Sequence, residues 1–176
     1  MRLYVARHGQ TRWNLENRVC GRTDLPLTEE GWRQAWLLAE RTKDLKIDMI
    51  IASPMLRARQ TAEPAADMHG LEILVDDRLI EQDYGIYEGV SRFDEDFLAN
   101  KRHFAFRYPG GESMMDVAHR VYGLLEEIRQ KYAGKSVLLV CHGGVCRVIR
   151  TFFEDMTNEA YFSYSEENAN IRTYEL

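Results

Sequence analysis

Arg7-His8-Gly9 follows directly on the apolar run Leu3-Tyr4-Val5-Ala6 and leads into Gln10-Thr11-Arg12-Trp13-Asn14. A histidine between a permanent cation and a glycine, on the loop where a strand exits, is a nucleophile placed to meet an anion. The most economical anion is a phosphate. An imidazole with one nitrogen held as a donor offers the other as a neutral nucleophile, since its reference pKa is about 6.5. Arg7 and Arg57 present forked N–H donors that match non-bridging phosphoryl oxygens, and such charge-assisted bonds are roughly twice as strong as neutral ones. Two fixed cations also argue against a metal held by His8, His142 and Glu81, because a divalent ion beside them would be repelled.

The elements that position these residues alternate between strand and helix. Leu3–Ala6 is a short strand, and Thr28-Glu29-Glu30 opens a helix that buries Trp32, Ala35, Trp36 and Ala39. Met49–Ala52 is the next strand; Ser53-Pro54 caps a helix that runs to about Asp67. Leu71–Val75 reads as a third strand. Ser113-Met114-Met115-Asp116 makes a capping box, followed by Val117, Val121, Leu124, Leu125 and Ile128 at helical spacing to about Tyr132. Val137–Cys141 is a fully buried strand, Gly143-Gly144 starts a helix to about Phe153, and Asn170–Tyr174 adds a last strand.

This order predicts an α/β fold: a mainly parallel central sheet with helices on both faces, in three layers. In such sheets ligands gather beyond the carboxyl ends of the strands. Arg7-His8-Gly9, Ser53 to Arg57, Glu81 and His142-Gly143-Gly144 all fall there, after four different strands.

Composition bounds the function further. A chain of 176 residues suits a single domain, 1–176, and buries roughly 70% of its unfolded surface. A net charge of -5 supplies no basic field for nucleic acid. The substrate is then a small molecule. Three cysteines, Cys20, Cys141 and Cys146, are odd in number and suit a reducing compartment, with Cys141 and Cys146 as core thiols. No apolar run approaches a membrane span or a signal-peptide core, so a soluble cytoplasmic protein is expected.

Five blocks, in order, are similar to the histidine phosphatase superfamily, the phosphoglycerate mutase-like fold. They are Arg7-His8-Gly9-Gln10-Thr11 with Trp13-Asn14; Pro26-Leu27-Thr28 with Gly31; Ser53-Pro54-Met55-Leu56-Arg57-Ala58 with Gln60-Thr61-Ala62; Glu81 with Gly85 and Glu88-Gly89 and then Pro109 to Ser113; and His142-Gly143-Gly144. The resemblance covers nearly the whole chain. It implies that His8 becomes a phosphohistidine and that Arg7, Arg57 and a cationic His142 stabilise the transferring group. It implies phosphate contacts from Asn14 and Gly143, and a proton-carrying role for Glu81, with Asp83 and Glu88 as competitors. It implies no cofactor and no metal.

The resemblance also favours hydrolysis. Cofactor-dependent mutases of this family are longer, with an insertion that this chain lacks, whereas Phe106-Arg107-Tyr108-Pro109-Gly110-Gly111-Glu112-Ser113 is similar to the short phosphatases and the fructose-2,6-bisphosphatase domain. The expected activity is that of a histidine acid-type phosphatase on a small phosphorylated metabolite. Cofactor-dependent phosphoglycerate mutase transfer, fructose-2,6-bisphosphatase-like activity and an idle phosphate-binding module are the alternatives.

Residues 85–111 form a lid-like insertion. Phe93, Phe97 and Phe104 recur at helical spacing, so most rings there are expected to pack on one amphipathic helix, with Phe106 and Tyr108 completing an apolar wall. Arg92, Lys101, Arg102 and Arg107 are the candidate anion contacts, and Arg107 with Tyr108 the expected specificity residues. Arg59 reads as a solvated charge, and Arg12 is open between that reading and an anion contact.

Overall fold

The computed structural model describes all 176 residues. In chain order the elements are β1 (Arg2–Arg7), α1 (Arg12–Leu15), α2 (Glu29–Thr42), β2 (Met49–Ala52), α3 (Leu56–His69), β3 (Ile73–Val75), α4 (Glu95–Lys101), α5 (Met114–Lys131), β4 (Val137–Cys141), α6 (Gly143–Phe153), α7 (Asn158–Ser163) and β5 (Ile171–Glu175). One five-stranded sheet runs in the order β3-β2-β4-β1-β5, parallel except where β5 pairs antiparallel with β1. No helix is long and apolar enough to cross a membrane.

The period of two along each strand sorts the core into two layers. Leu3 and Val5, Ile51, Val137, Leu139 and Cys141 face α5 and α6, meeting Val117, Val121, Leu125, Val145 and Ile149. Tyr4 and Ala6, Ile50 and Ala52, Leu138 and Val140 face α2 and α3, meeting Leu38, Ala39, Ala58, Ala62 and Ala65. Strand β4 is apolar at every position because both of its faces are covered. Each fully buried Leu or Ile side chain contributes about 2 kcal/mol, so these two layers hold the strand ends in register.

That register sets the site. Arg7 lies opposite Cys141, and the ladder continues past the strands: His8 N–H donates to the Cys141 carbonyl at 2.9 Å and Ser53 N–H to the Val140 carbonyl at 3.0 Å. His8, His142 and Ser53 therefore leave the sheet side by side.

Local signals hold in α2, capped by Thr28 on Gly31 N–H, and in α5, where Ser113 and Asp116 form the reciprocal capping box. Trp36 departs from expectation. The buried stripe of α2 is Gly31, Ala35, Leu38, Ala39 and Thr42; Trp36, rotated one residue off it, is 55% exposed. The start of α3 also differs. Ser53 does not cap it; the helix begins at Leu56, whose N–H donates to Asp24 Oδ1 at 2.7 Å, and this frees Ser53 for another partner.

The insertion does not form one long helix. Asp94 caps α4 and the helix ends at Lys101, too short to carry Phe93 and Phe104 on a shared face. Phe93 is 71% exposed, while Phe104 packs on Tyr161 and Phe162 of α7. Phe97 joins Tyr84, Tyr87 and Tyr108 in an aromatic cluster over Val19.

Candidate active site

A cavity of about 270 Å³ opens at the carboxyl edge of the sheet, and Arg7, His8, Asn14, Glu81 and Gly143 contribute to its wall. Each is held by a distinct local device. His8 is buried, and its Nδ1 lies 2.7 Å from the Gly9 carbonyl. A carbonyl only accepts, so Nδ1 carries the proton and Nε2 keeps its lone pair. Gly9 N–H donates in turn to Thr61 Oγ1 at 2.8 Å, and Gly9 lies so close to the backbone of Gly31, and Gly31 to that of Gln10, that neither position has room for a Cβ.

The Asn14 side-chain oxygen accepts from Thr11 N–H and Oγ, which leaves its NH₂ group as a donor at the cavity wall. Arg7 donates through one terminal nitrogen to the Glu166 carbonyl at 2.5 Å. Its Nε is buried with no partner, and Gly143 packs against this guanidinium. Burial first, and then repulsion from Arg92, pull the Arg7 proton affinity below its ordinary range. An anion on that side relieves both costs.

Glu81 is buried in the wall. Its two oxygens accept from Gln82 N–H and Gly144 N–H, both at 2.9 Å, and a Cβ at Gly144 would collide with Oε1. The competing acids are engaged elsewhere. Glu88 accepts from Gly21 N–H and Arg22 N–H, and Asp83 lies 4.0 Å from Arg22.

Arg57 and His142 stand directly behind this wall rather than in it. Arg57 is fully buried and donates to the carbonyls of Thr23 and Gly21, both at 2.8 Å, and to His142 Nδ1 at 3.2 Å. Since a guanidinium only donates, His142 Nδ1 is the acceptor and its proton sits on Nε2, 2.8 Å from Ser53 Oγ. The His8 and His142 rings are 5.1 Å apart.

The expectation of a cationic His142 is thereby corrected. Burial, Arg57 and the neighbouring His8 push its pKa well below the ordinary imidazole value. Burial, Arg57 and Arg7 do the same to His8, so both rings are neutral near pH 7. Both imidazoles stay neutral in the fold and take up protons once unfolded. Their contribution to stability is complete above about pH 6.5 and is lost as pH falls below it. We expect the unfolding free energy to drop by up to about 1.4 kcal/mol per pH unit for each ring. Urea titrations between pH 7.5 and 5.5 measure this, and a flat profile would contradict the assignment.

The specificity expectations are also corrected. Arg107 is exposed and paired with Asp116 at 2.8 Å, and Tyr108 is buried in the aromatic cluster; neither touches the cavity. Arg102 and Phe106 are exposed outside it, as is Arg59, in keeping with its reading as a solvated charge, and Arg12, whose reading was open, is exposed too. Arg92, Lys101 and Phe97 do line it.

Sequence reasoning missed Val19, Cys20, Tyr84, Arg147 and the segment Phe162 to Ser165, which also line the wall. Arg147 sits four residues after Gly143, on the same helical face, and that spacing was the available signal. Residues 162–165 carry no motif. Cys141 and Cys146 are free, buried thiols with sulfurs 3.5 Å apart, and no group of three or more His, Cys, Asp or Glu is clustered as metal ligands.

The sequence model of the histidine phosphatase superfamily (branch 1) matches residues 3–176. The probable phosphoglycerate mutase GpmB of Klebsiella pneumoniae is 38% identical over 150 residues, covering 81% of this chain and 70% of its own length. A mycobacterial glucosyl-3-phosphoglycerate phosphatase, solved with VO₃, superposes with a TM-score of 0.89 at 30% identity, over 98% of this chain and 91% of that one. The α-ribazole phosphatase of Shigella flexneri shares the fold, with a TM-score of 0.87 at 23% identity, over 100% of this chain and 91% of its own. A match that runs from β1 to the C-terminal strand, over a sheet edge bearing both motif histidines, makes this chain a member of the histidine phosphatase superfamily.

Proposed function

We propose that this chain is a metal-independent phosphomonoester hydrolase working through a phosphohistidine on His8. The observation that carries the reading is one cavity holding a neutral imidazole with its Nε2 lone pair free, beside a buried guanidinium with an unpartnered N–H. A phosphoryl group is an electrophile for the first and a counter-ion for the second.

His8 Nε2 attacks phosphorus and the bond to the leaving oxygen breaks. Arg7 Nε, the Asn14 amide and the Gly143 end of α6 take up the charge on the equatorial oxygens. The Glu81 carboxyl group passes a proton to the leaving oxygen and recovers one from the water that attacks the phosphohistidine, so that inorganic phosphate leaves and His8 returns neutral. Arg57 and His142 act from behind: they are the cationic and hydrogen-bonding layer against which His8 is seated. The small cavity suits a small phosphorylated metabolite.

The similarity to GpmB favours a second reading, in which the phosphoryl group passes to a phosphoglycerate instead of water. Both readings are tested by one experiment. Brief exposure to ³²P-labelled substrate should label the protein in an acid-labile, alkali-stable linkage, in EDTA as well as without it. Discharge into water supports the hydrolase and discharge into added phosphoglycerate the mutase. Steady turnover with no labelled protein would sink both.

A further inference from the structure

The cavity wall carries more positive charge than a phosphoryl group needs. Arg7, Arg92, Lys101 and Arg147 line it, against the single carboxylate of Glu81. The last three come from different elements: Arg92 from the loop before α4, Lys101 from the end of α4, and Arg147 from the second turn of α6. None of them has an acidic partner. Arg92 donates to the Arg18 carbonyl, and Arg147 donates to the Tyr164 carbonyl and lies over the Tyr161 ring. Lys101 has neither an ion pair nor a hydrogen bond, although it is half-buried. In a chain of net charge -5, three unpaired cations converging on one small cavity is a concentration of field that nothing else in the protein balances.

Arg147 lies one helical turn beyond Gly143, the residue that packs against Arg7, so its backbone is about 6 Å further along α6. A substrate filling both ends has its phosphoryl group at His8 and a second negative group a few bonds away. Mutual repulsion among these cations is a cost that such a group would relieve. Burial, Arg147 and Arg92 bring the Lys101 amine down to about 8, against an opposing pull from Glu81.

We infer that the end of the cavity formed by Arg92, Lys101 and Arg147 is a second anion site, and that the substrates of this protein are phosphomonoesters bearing a further carboxylate or phosphate. The inference rests on the phosphatase reading of His8 but is tested apart from it. Lys101 is the residue to change, because it supports no other part of the fold, whereas Arg92 and Arg147 each hold a backbone carbonyl.

The probes are two matched pairs: 3-phosphoglycerate with glycerol 3-phosphate, which exchange a carboxylate for a hydroxymethyl group, and fructose 1,6-bisphosphate with fructose 6-phosphate. Dissociation constants are measured by calorimetry on the His8→Ala protein, where turnover does not interfere. The doubly anionic member of at least one pair is expected to bind about ten-fold tighter or better, the worth of one charge-assisted hydrogen bond. Which pair shows the preference identifies the second group. Adding Lys101→Met should remove most of that preference while leaving glycerol 3-phosphate and fructose 6-phosphate within about two-fold, and Lys101→Arg should restore it. Equal binding within both pairs, or a preference untouched by Lys101→Met, overturns the inference. Turnover of p-nitrophenyl phosphate by the unaltered protein is followed in parallel. Hydrolysis without any binding preference removes the second site and leaves the hydrolase; a preference without hydrolysis does the reverse.

Discussion

His8→Ala is expected to lower the hydrolysis of p-nitrophenyl phosphate by about 10⁴-fold or more, a loss of roughly 5 kcal/mol of transition-state stabilisation. The size follows from what the alanine takes away. Arg7, Asn14 and Glu81 remain in place to bind and polarise the ester, but no other imidazole lines the cavity. Water would have to replace a positioned nucleophile, with the entropic cost that positioning removes. His8→Asn separates chemistry from structure. Its amide N–H₂ can keep the bond to the Gly9 carbonyl that His8 Nδ1 makes at 2.7 Å, yet it has no nucleophilic nitrogen. We expect it to be as inactive as the alanine and more stable, by about 1 kcal/mol for the retained hydrogen bond. Either variant keeping more than about 1% of the wild-type rate would remove His8 from the role of nucleophile.

Arg57→Met should affect both stability and catalysis. The fully buried guanidinium satisfies the carbonyls of Gly21 and Thr23 and donates to His142. Methionine fills much of the volume but leaves the buried Gly21 carbonyl and His142 Nδ1 without donors, at about 1–3 kcal/mol each. A destabilisation of about 3 kcal/mol is therefore expected in urea unfolding, with a loss of about 10²–10³ in kcat/KM as the layer behind His8 loosens. A merely structural role would not shift His142. Arg57 stands second only to burial among the causes that hold its pKa down, so NMR titration of His142 in the variant should show a rise toward the ordinary imidazole value. Stability within 1 kcal/mol of wild type, or an unmoved His142 titration, would contradict the arrangement.

The Arg57 arrangement also explains why the acidic residues around position 81 divide as they do. Glu88 holds the backbone of Gly21 and Arg22, that loop presents the Gly21 and Thr23 carbonyls to Arg57, and Arg57 pins His142. Asp24, from the same loop, caps α3. Glu88 thus supports the site from a distance, and Glu81 alone faces the cavity. Nothing in the spacing of Glu81, Asp83 and Glu88 separates these roles, because the distinction depends on which backbone amides each carboxylate meets.

Much of the architecture was legible from local patterns. The two-residue period of β1, β2 and β4, the cap at Thr28 and the capping box at Ser113 are short-range effects. So is the rule that strand exits gather at one edge of a parallel sheet. Where short-range signals conflicted with a tertiary demand, they failed. Ser53 reads as a helix cap, but its hydroxyl faces His142. Trp36 reads as core, but it is turned off the stripe that α3 covers. The phenylalanines at 93, 97 and 104 share a helical period, but the helix that would join them stops at Lys101.

By itself the sequence singled out the candidates His8, Arg7, Arg57, Glu81, His142, Asn14 and Gly143, because their motifs follow the strands or open the helices that line one sheet edge. It also determined the family, because those motifs occur in order. Only the tertiary structure decided that His142 is neutral and faces Ser53, since its tautomer is dictated by an arginine 85 positions away. Only the tertiary structure, likewise, separated Arg92 and Lys101, which line the cavity together with Arg147, from Arg102 and Arg107, which lie outside it. Which cations share a cavity depends on how the insertion and α6 pack across it, and that contact is between segments far apart in the chain.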